Sequence, residues 1–182
     1  MSKKLITIVE LPILIASGIF AVFVIEAVWP GNFYYLGIEP RTISGLAGIV
    51  FSPFLHASWT HLVSNLVPLV IMGCFISALA PSLYLLRTIA LIVISGSLTW
   101  LTSTAGVVIG ASGLVFAYWS YLITNGFITR KTKDLLIGLV TFLIYGALFF
   151  SLFRVEAGVS WAGHFSGVMA GILLALQQAK KA

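Results

Sequence analysis

The stretch that decides the fold is Gly163-His164-Phe165-Ser166-Gly167-Val168-Met169-Ala170-Gly171. Gly163, Gly167 and Gly171 recur every four residues and form one small-residue stripe on a helix, which permits very close contact with a neighbouring helix. The surrounding run, residues 162–178, is apolar enough to enter a membrane, yet a histidine stands beside the stripe. Close packing explains the glycines. It does not explain an imidazole at the same place, where a polar side chain in lipid is costly and marks function by default.

Working outward, the chain has 182 residues, 60% of them hydrophobic and 8% charged. No soluble domain of this length hides that much apolar surface. Six apolar segments are expected, over residues 5–28, 60–80, 84–104, 112–125, 134–153 and 162–178, against about 20 residues for a helix that crosses the hydrocarbon core. The fold expected is therefore an all-α membrane protein: a six-helix bundle forming a single domain over residues 1–182, with a short central fourth helix. That segment begins from an irregular loop inside the membrane and must be sheltered by its neighbours. Lys3 and Lys4 before the first segment resemble a signal peptide, but the apolar stretch is too long for one and a retained span is the better reading. The loop over residues 29–58 carries Trp29, Phe33, Tyr34, Tyr35, Phe51 and Phe54 and is read as partly embedded in the outer interface.

The net charge of +5 does not point to nucleic acid, because the basic residues lie in short clusters between apolar runs. Six spans place Lys3, Lys4, Arg87, Arg130, Lys131, Lys133, Lys180 and Lys181 on one side and only Arg41 and Arg154 on the other. Both termini are thus expected in the cytoplasm, in a multi-pass protein of the cell (inner) membrane. The single cysteine, Cys74, excludes a disulfide framework and reads as a packing residue.

Three histidines, His56, His61 and His164, lie near the outer ends of even-numbered segments. His61 and Asn65 share one helix face. Ser112 opens segment four and His164 lies near the start of segment six. His61, Asn65, Ser112 and His164 are therefore expected at one depth, about 5–10 Å below the outer surface. A metal site fits poorly: His56 and His61 point to different sides of a helix, and no acid lies in segments two, four or six. Paired-carboxylate chemistry lacks its carboxylates. Nucleophilic catalysis remains, with a serine beside a histidine base. Spacing does not choose Ser112 over Ser17, Ser64, Ser77, Ser95, Ser97, Ser120 or Ser166. Its setting, Gly110-Ala111-Ser112-Gly113, lets a backbone turn sharply and a substrate carbonyl come close, and a helix start offers free N–H groups. Gly113 and Ala117 are four apart and suit the opposing surface for the glycine stripe. Taken alone, this motif is more often a helix-packing feature.

Three pieces together resemble the rhomboid family of intramembrane serine proteases: His56-Ala57-Ser58-Trp59-Thr60-His61-Leu62-Val63-Ser64-Asn65, Gly110-Ala111-Ser112-Gly113 and Ala162-Gly163-His164-Phe165-Ser166-Gly167. The resemblance implies a Ser112–His164 dyad without a third acid. It implies an oxyanion hole from His61, Asn65 and the Ser112 backbone N–H, with Gly110 shaping the loop beneath it and Gly113, Gly163 and Gly167 in support. It implies a structural role for His56, single-span membrane proteins in a lipid bilayer as substrates, no cofactor, no metal and no nucleic-acid partner. The competing expectations are a rhomboid-like pseudoprotease that holds client helices without cleavage, and a small transporter or channel component. Two departures from the family stand out. The Trp-Arg pair common in the first outer loop is missing, which leaves the fold of that loop open. Phe116 stands where a tyrosine often supports the histidine ring, so stacking survives but a hydroxyl contact does not. The chain would be a minimal six-span form, with bulky aromatics near segment five, such as Phe153, affecting substrate entry.

Overall fold

A computed structural model describes residues 3–29, 31, 33–104, 106–152 and 160–180. Six helices carry the architecture: α1 (Lys3–Val28), α2 (Trp59–Leu79), α3 (Tyr84–Thr102), α4 (Ser112–Thr129), α5 (Thr132–Tyr145) and α6 (Trp161–Ala179). Among the described residues the only β feature is one antiparallel bridge, Ile38 with Val108. The loop between α1 and α2 is built from short helical turns, Tyr34–Leu36, Ser44–Leu46, Gly48–Phe51 and Ser52–Phe54.

The helix α4 is the axis of the bundle and packs against α2, α3, α5 and α6. Every residue from Leu114 to Leu122 is buried, so this helix meets protein on all sides. Central placement follows from its sequence: a helix that starts with Ser112 and Gly113 and carries Ser120 and Asn125 needs neighbours that supply acceptors. Ser120 Oγ donates to the Val168 carbonyl of α6 at 2.9 Å.

The lengths depart from expectation. The fourth helix is not short. It runs for 18 residues and ends only at Arg130, whose φ of +54° closes it in the left-handed region. Asn125 does not stop the helix because its amide is buried and donates to Asp134 Oδ2 at 3.4 Å. The short helix is α5, with 14 residues. It breaks at Gly146, one further turn follows at Ala147–Ser151, and the expected end at Phe153 lies outside the described residues.

Among the described residues, three segments suffice by length and apolarity alone to cross a membrane: Thr7–Val28, Trp59–Leu79 and Pro81–Thr102. The helices α4 and α6 reach 18 and 19 residues, but serine, glycine, asparagine, glutamine and histidine dilute their apolarity. These residues serve contacts inside the bundle. On α6, Gly167 and Gly171 allow the backbones of α4 and α6 to touch. A Cβ at Gly167 would lie on the Gly113 carbonyl oxygen, and one at Gly171 on the Ala117 carbonyl and the Ser120 hydroxyl. The outer faces are apolar, as on α5, where Leu139, Phe142 and Leu143 are exposed. This is the surface of a protein solvated by lipid.

Candidate active site

Three helices begin at one end of the bundle and bring the sequence-selected residues together. The start of α2 is set by Ser58, which is extended (φ −161°, ψ 163°) and accepts from the His61 N–H at 3.1 Å. The start of α6 is set by Ser160, which accepts from the Gly163 N–H at 3.1 Å. Each serine satisfies one of the helix's orphan donors and fixes the first turn on which His61 or His164 rides. Both caps are Ser-x-x pairings that sequence reasoning passed over. The signal was there, a serine three residues before the first well-ordered turn.

The helix α4 begins differently. Its N-cap, Ala111, has φ −78° and ψ 2°, and no side chain caps the helix. The chain reaches Ala111 through Gly110 at φ +109°, a conformation open to glycine and strained for other residues. Gly110 is also where the backbone must pass beneath an imidazole: a Cβ there would come within 2.6 Å of His61 Nε2. The preceding segment is held from the other side. Ile38 and Val108 exchange both N–H···O bonds at 2.9 Å, and the Gly110 N–H donates to Ser52 O at 2.8 Å. The loop that places Ser112 is thus anchored by the loop between α1 and α2.

The α1–α2 loop has a definite fold despite its missing Trp-Arg pair. Arg41 Nη1 donates to the Ser103 and Leu101 carbonyls at 2.6 and 3.1 Å, at the C-terminal end of α3. In return, Trp100 of α3 donates its indole N–H to Thr42 O at 2.9 Å, and the Arg41 N–H meets Trp100 O at 3.2 Å. An arginine from the loop and a tryptophan from the helix therefore make the anchor. Sequence reading missed it because the two residues are far apart in the chain.

His56 is 2% exposed, and its Nε2 accepts from the Ala111 N–H at 3.4 Å. It supports the residue immediately before Ser112 as well as the outer loop. Its ring lies 4.9 Å from that of His61. Burial, and next the nearby His61, push its pKa down from 6.5 to about 4. His56 is thus neutral near pH 7, as an acceptor from a backbone N–H must be.

Around Ser112 the contacts are close. Ser112, Gly110, Gly113 and Gly163 line one small cavity with Ser95 and Thr99. A Cβ on Gly113 would be 3.4 Å from the Gly163 carbonyl. His164 follows directly in sequence, and its ring stacks on Phe116 with centroids 4.3 Å apart and planes at 28°. Its Nδ1 is buried with no hydrogen-bond partner, consistent with a phenylalanine where a hydroxyl would otherwise reach the ring. His61 and His164 lie within electrostatic reach of one another. Asn65, 4% exposed, donates Nδ2 to the His61 carbonyl at 2.6 Å. One amide N–H is thereby committed to the helix and one is left for other use. Among the described residues, no three His, Cys, Asp or Glu side chains gather as metal ligands.

Serine, histidine and backbone donors thus lie at one end of a helical bundle whose outer faces are apolar. Residues 43–181 match the Rhomboid domain family, and the chain belongs to that family of intramembrane serine proteases. It is similar to uncharacterized proteins of Mycobacterium tuberculosis and Mycobacterium bovis, each 37% identical over 148 residues that cover 76% of this chain and 62% of the relative. An uncharacterized protein of Mycobacterium leprae is 35% identical over 148 residues, covering 76% of this chain and 59% of the relative. The chain therefore spans less than two thirds of the length of these curated relatives.

Proposed function

We propose that this chain is an intramembrane serine endopeptidase that cuts single-span membrane proteins in or near their transmembrane segment. Ser112 is the nucleophile and His164 the base. The observation that carries this reading is the uncapped start of α4: a serine on the first turn of a helix whose amides no side chain has claimed, with α6 brought to backbone contact beside it.

In the proposed reaction Ser112 Oγ attacks the scissile carbonyl. His164 takes its proton and later passes it to the leaving amine. The developing oxyanion meets the Ser112 N–H, the His61 imidazole and the second N–H of Asn65, and each such donor lowers the barrier by about 3 kcal/mol. No acid orients His164. The Phe116 face beneath the ring takes over part of that task, since it fixes the ring plane. We further propose that α1 to α6 all span the membrane, with both termini on the cytoplasmic, lysine-rich side and the site near the outer face. The substrate class rests on family membership.

Labelling by a serine-reactive fluorophosphonate in detergent tests the dyad. Wild type should label, while Ser112→Ala and His164→Ala should fall to background. Equal labelling of all three would overturn it. A wild-type chain that retains client helices without labelling or cleaving would instead be a pseudoprotease.

A further inference from the structure

A cleft of about 390 Å³ lies between α4 and α5, toward the end of the bundle away from Ser112. Its floor is bare because the two helices touch through glycine. A Cβ at Gly126 would lie 2.8 Å from the Asp134 carbonyl oxygen, and one at Gly138 would lie 3.1 Å from that of Leu122. Its walls are long apolar side chains that stay exposed: Phe127 on α4, and Leu136, Leu139 and Phe142 on α5. Within α5 only Gly138 and Thr141 are buried, so the cleft opens on the outer, apolar face of the bundle.

The cleft ends about one helical turn from a basic turn. Arg130, Lys131 and Lys133 follow the end of α4, and all three are exposed. Lys133 donates to the Ala78 carbonyl oxygen of α2. The one acid of α5, Asp134, is engaged by Thr129 and Asn125, at 2.8 and 3.4 Å. An apolar slot that leads to exposed cations matches both halves of an anionic phospholipid. Chain burial alone does not select an occupant, because lipid tails are as apolar as leucine and only packing contacts are gained. The headgroup does select. Basic residues at the membrane surface attract anionic lipids, and a guanidinium fork suits phosphate. A protein helix in the slot would leave that charge unmatched.

We propose that the cleft between α4 and α5 binds one anionic phospholipid, with an acyl chain over Gly126 and Gly138 and the headgroup phosphate on Arg130 and Lys131. The site is separate from Ser112 and does not depend on proteolysis. Native mass spectrometry of the full chain in detergent, titrated with phosphatidylglycerol and with phosphatidylcholine, tests it. A one-to-one phosphatidylglycerol adduct is expected, tighter than that of phosphatidylcholine. Arg130→Gln and Lys131→Gln should each weaken it by about fivefold. Either one decides the charge if the other does not fold. Leu139→Trp fills the slot and should also weaken the adduct, with Leu136→Trp as the alternative if that chain does not fold. Lys180→Gln, an exposed cation at the same end of the bundle, should leave binding unchanged. Equal affinity for the two lipids, or no loss in the charge variants, would overturn the site. Equal weakening by Lys180→Gln would mean diffuse charge attraction, and indifference to the tryptophan variants would mean headgroup attraction without the cleft; each overturns the proposal. Displacement by millimolar inorganic phosphate would reassign the cations to free phosphate. A dimer abolished by Leu139→Trp, with no lipid adduct, would assign the cleft to a second copy of the chain. Either result overturns the lipid reading.

Discussion

The helices α2 and α6 start alike, and α4 starts differently. Ser58 and Ser160 each cap their helix through the side chain, and each holds a histidine in place within the first turns. The helix α4 starts from Ala111 with no side-chain cap, behind a glycine at φ +109°. A capped start is more stable, because the side chain occupies one of its first amides. An uncapped start forgoes about 1 kcal/mol of stability and leaves amides that can meet a negative charge. Under the proposed function the difference separates two tasks: α2 and α6 position histidines, whereas α4 presents Ser112 and the free amides of its first turn.

The comparison breaks most easily at Gly110. Gly110→Ala places a Cβ against His61 Nε2 in a backbone region hostile to alanine. It should displace both the His61 donor and the start of α4. Loss of the oxyanion donors is worth about a hundredfold or more in cleavage rate. Peptidase assays on a single-span substrate would show this, and wild-type activity in Gly110→Ala would remove the special status of the α4 start.

A smaller effect is expected on acidification, through His56, which braces Ala111. Its pKa is about 4 in the folded chain against 6.5 when unperturbed. Between those values the unfolded chain binds the extra proton. The stability that His56 contributes is therefore complete above pH 6.5 and is lost as the pH falls toward 4. The shift corresponds to roughly 3 kcal/mol. The thermal midpoint in detergent should fall over this window more steeply in wild type than in His56→Gln. Parallel curves would dissociate His56 from the bracing of the loop.

The smallest effect belongs to the caps. Ser58→Ala and Ser160→Ala should each cost about 1 kcal/mol of stability, read from thermal or denaturant midpoints. Activity should fall only as far as His61 or His164 moves. A cap variant that abolishes cleavage at unchanged stability would give the serines a role beyond holding the helix start.

Much of this was legible before the fold. The glycine spacing on α6 announced contact with α4, and Gly167 and Gly171 lie against the Gly113 and Ala117 carbonyls. The Phe116 substitution announced a stacked histidine lacking a hydroxyl partner, and both features are present. The extent of α4 was not legible, because Asn125 is a weaker helix former and its amide is met here by Asp134 of α5, which follows in the next helix. The outer loop was not legible either, because Arg41 and Trp100 find each other across the fold.

The sequence by itself determined the membrane solvent, the family and the residues near the start of each polar helix, because hydropathy and local spacing are properties of the chain. Only the tertiary structure decided which of those starts is left open. Capping depends on backbone angles, and those at Ala111 follow from Gly110 passing beneath His61 while Ser52 and Ile38 hold the loop from the other side. No stretch of chain contains that arrangement, because its parts come from three separate segments.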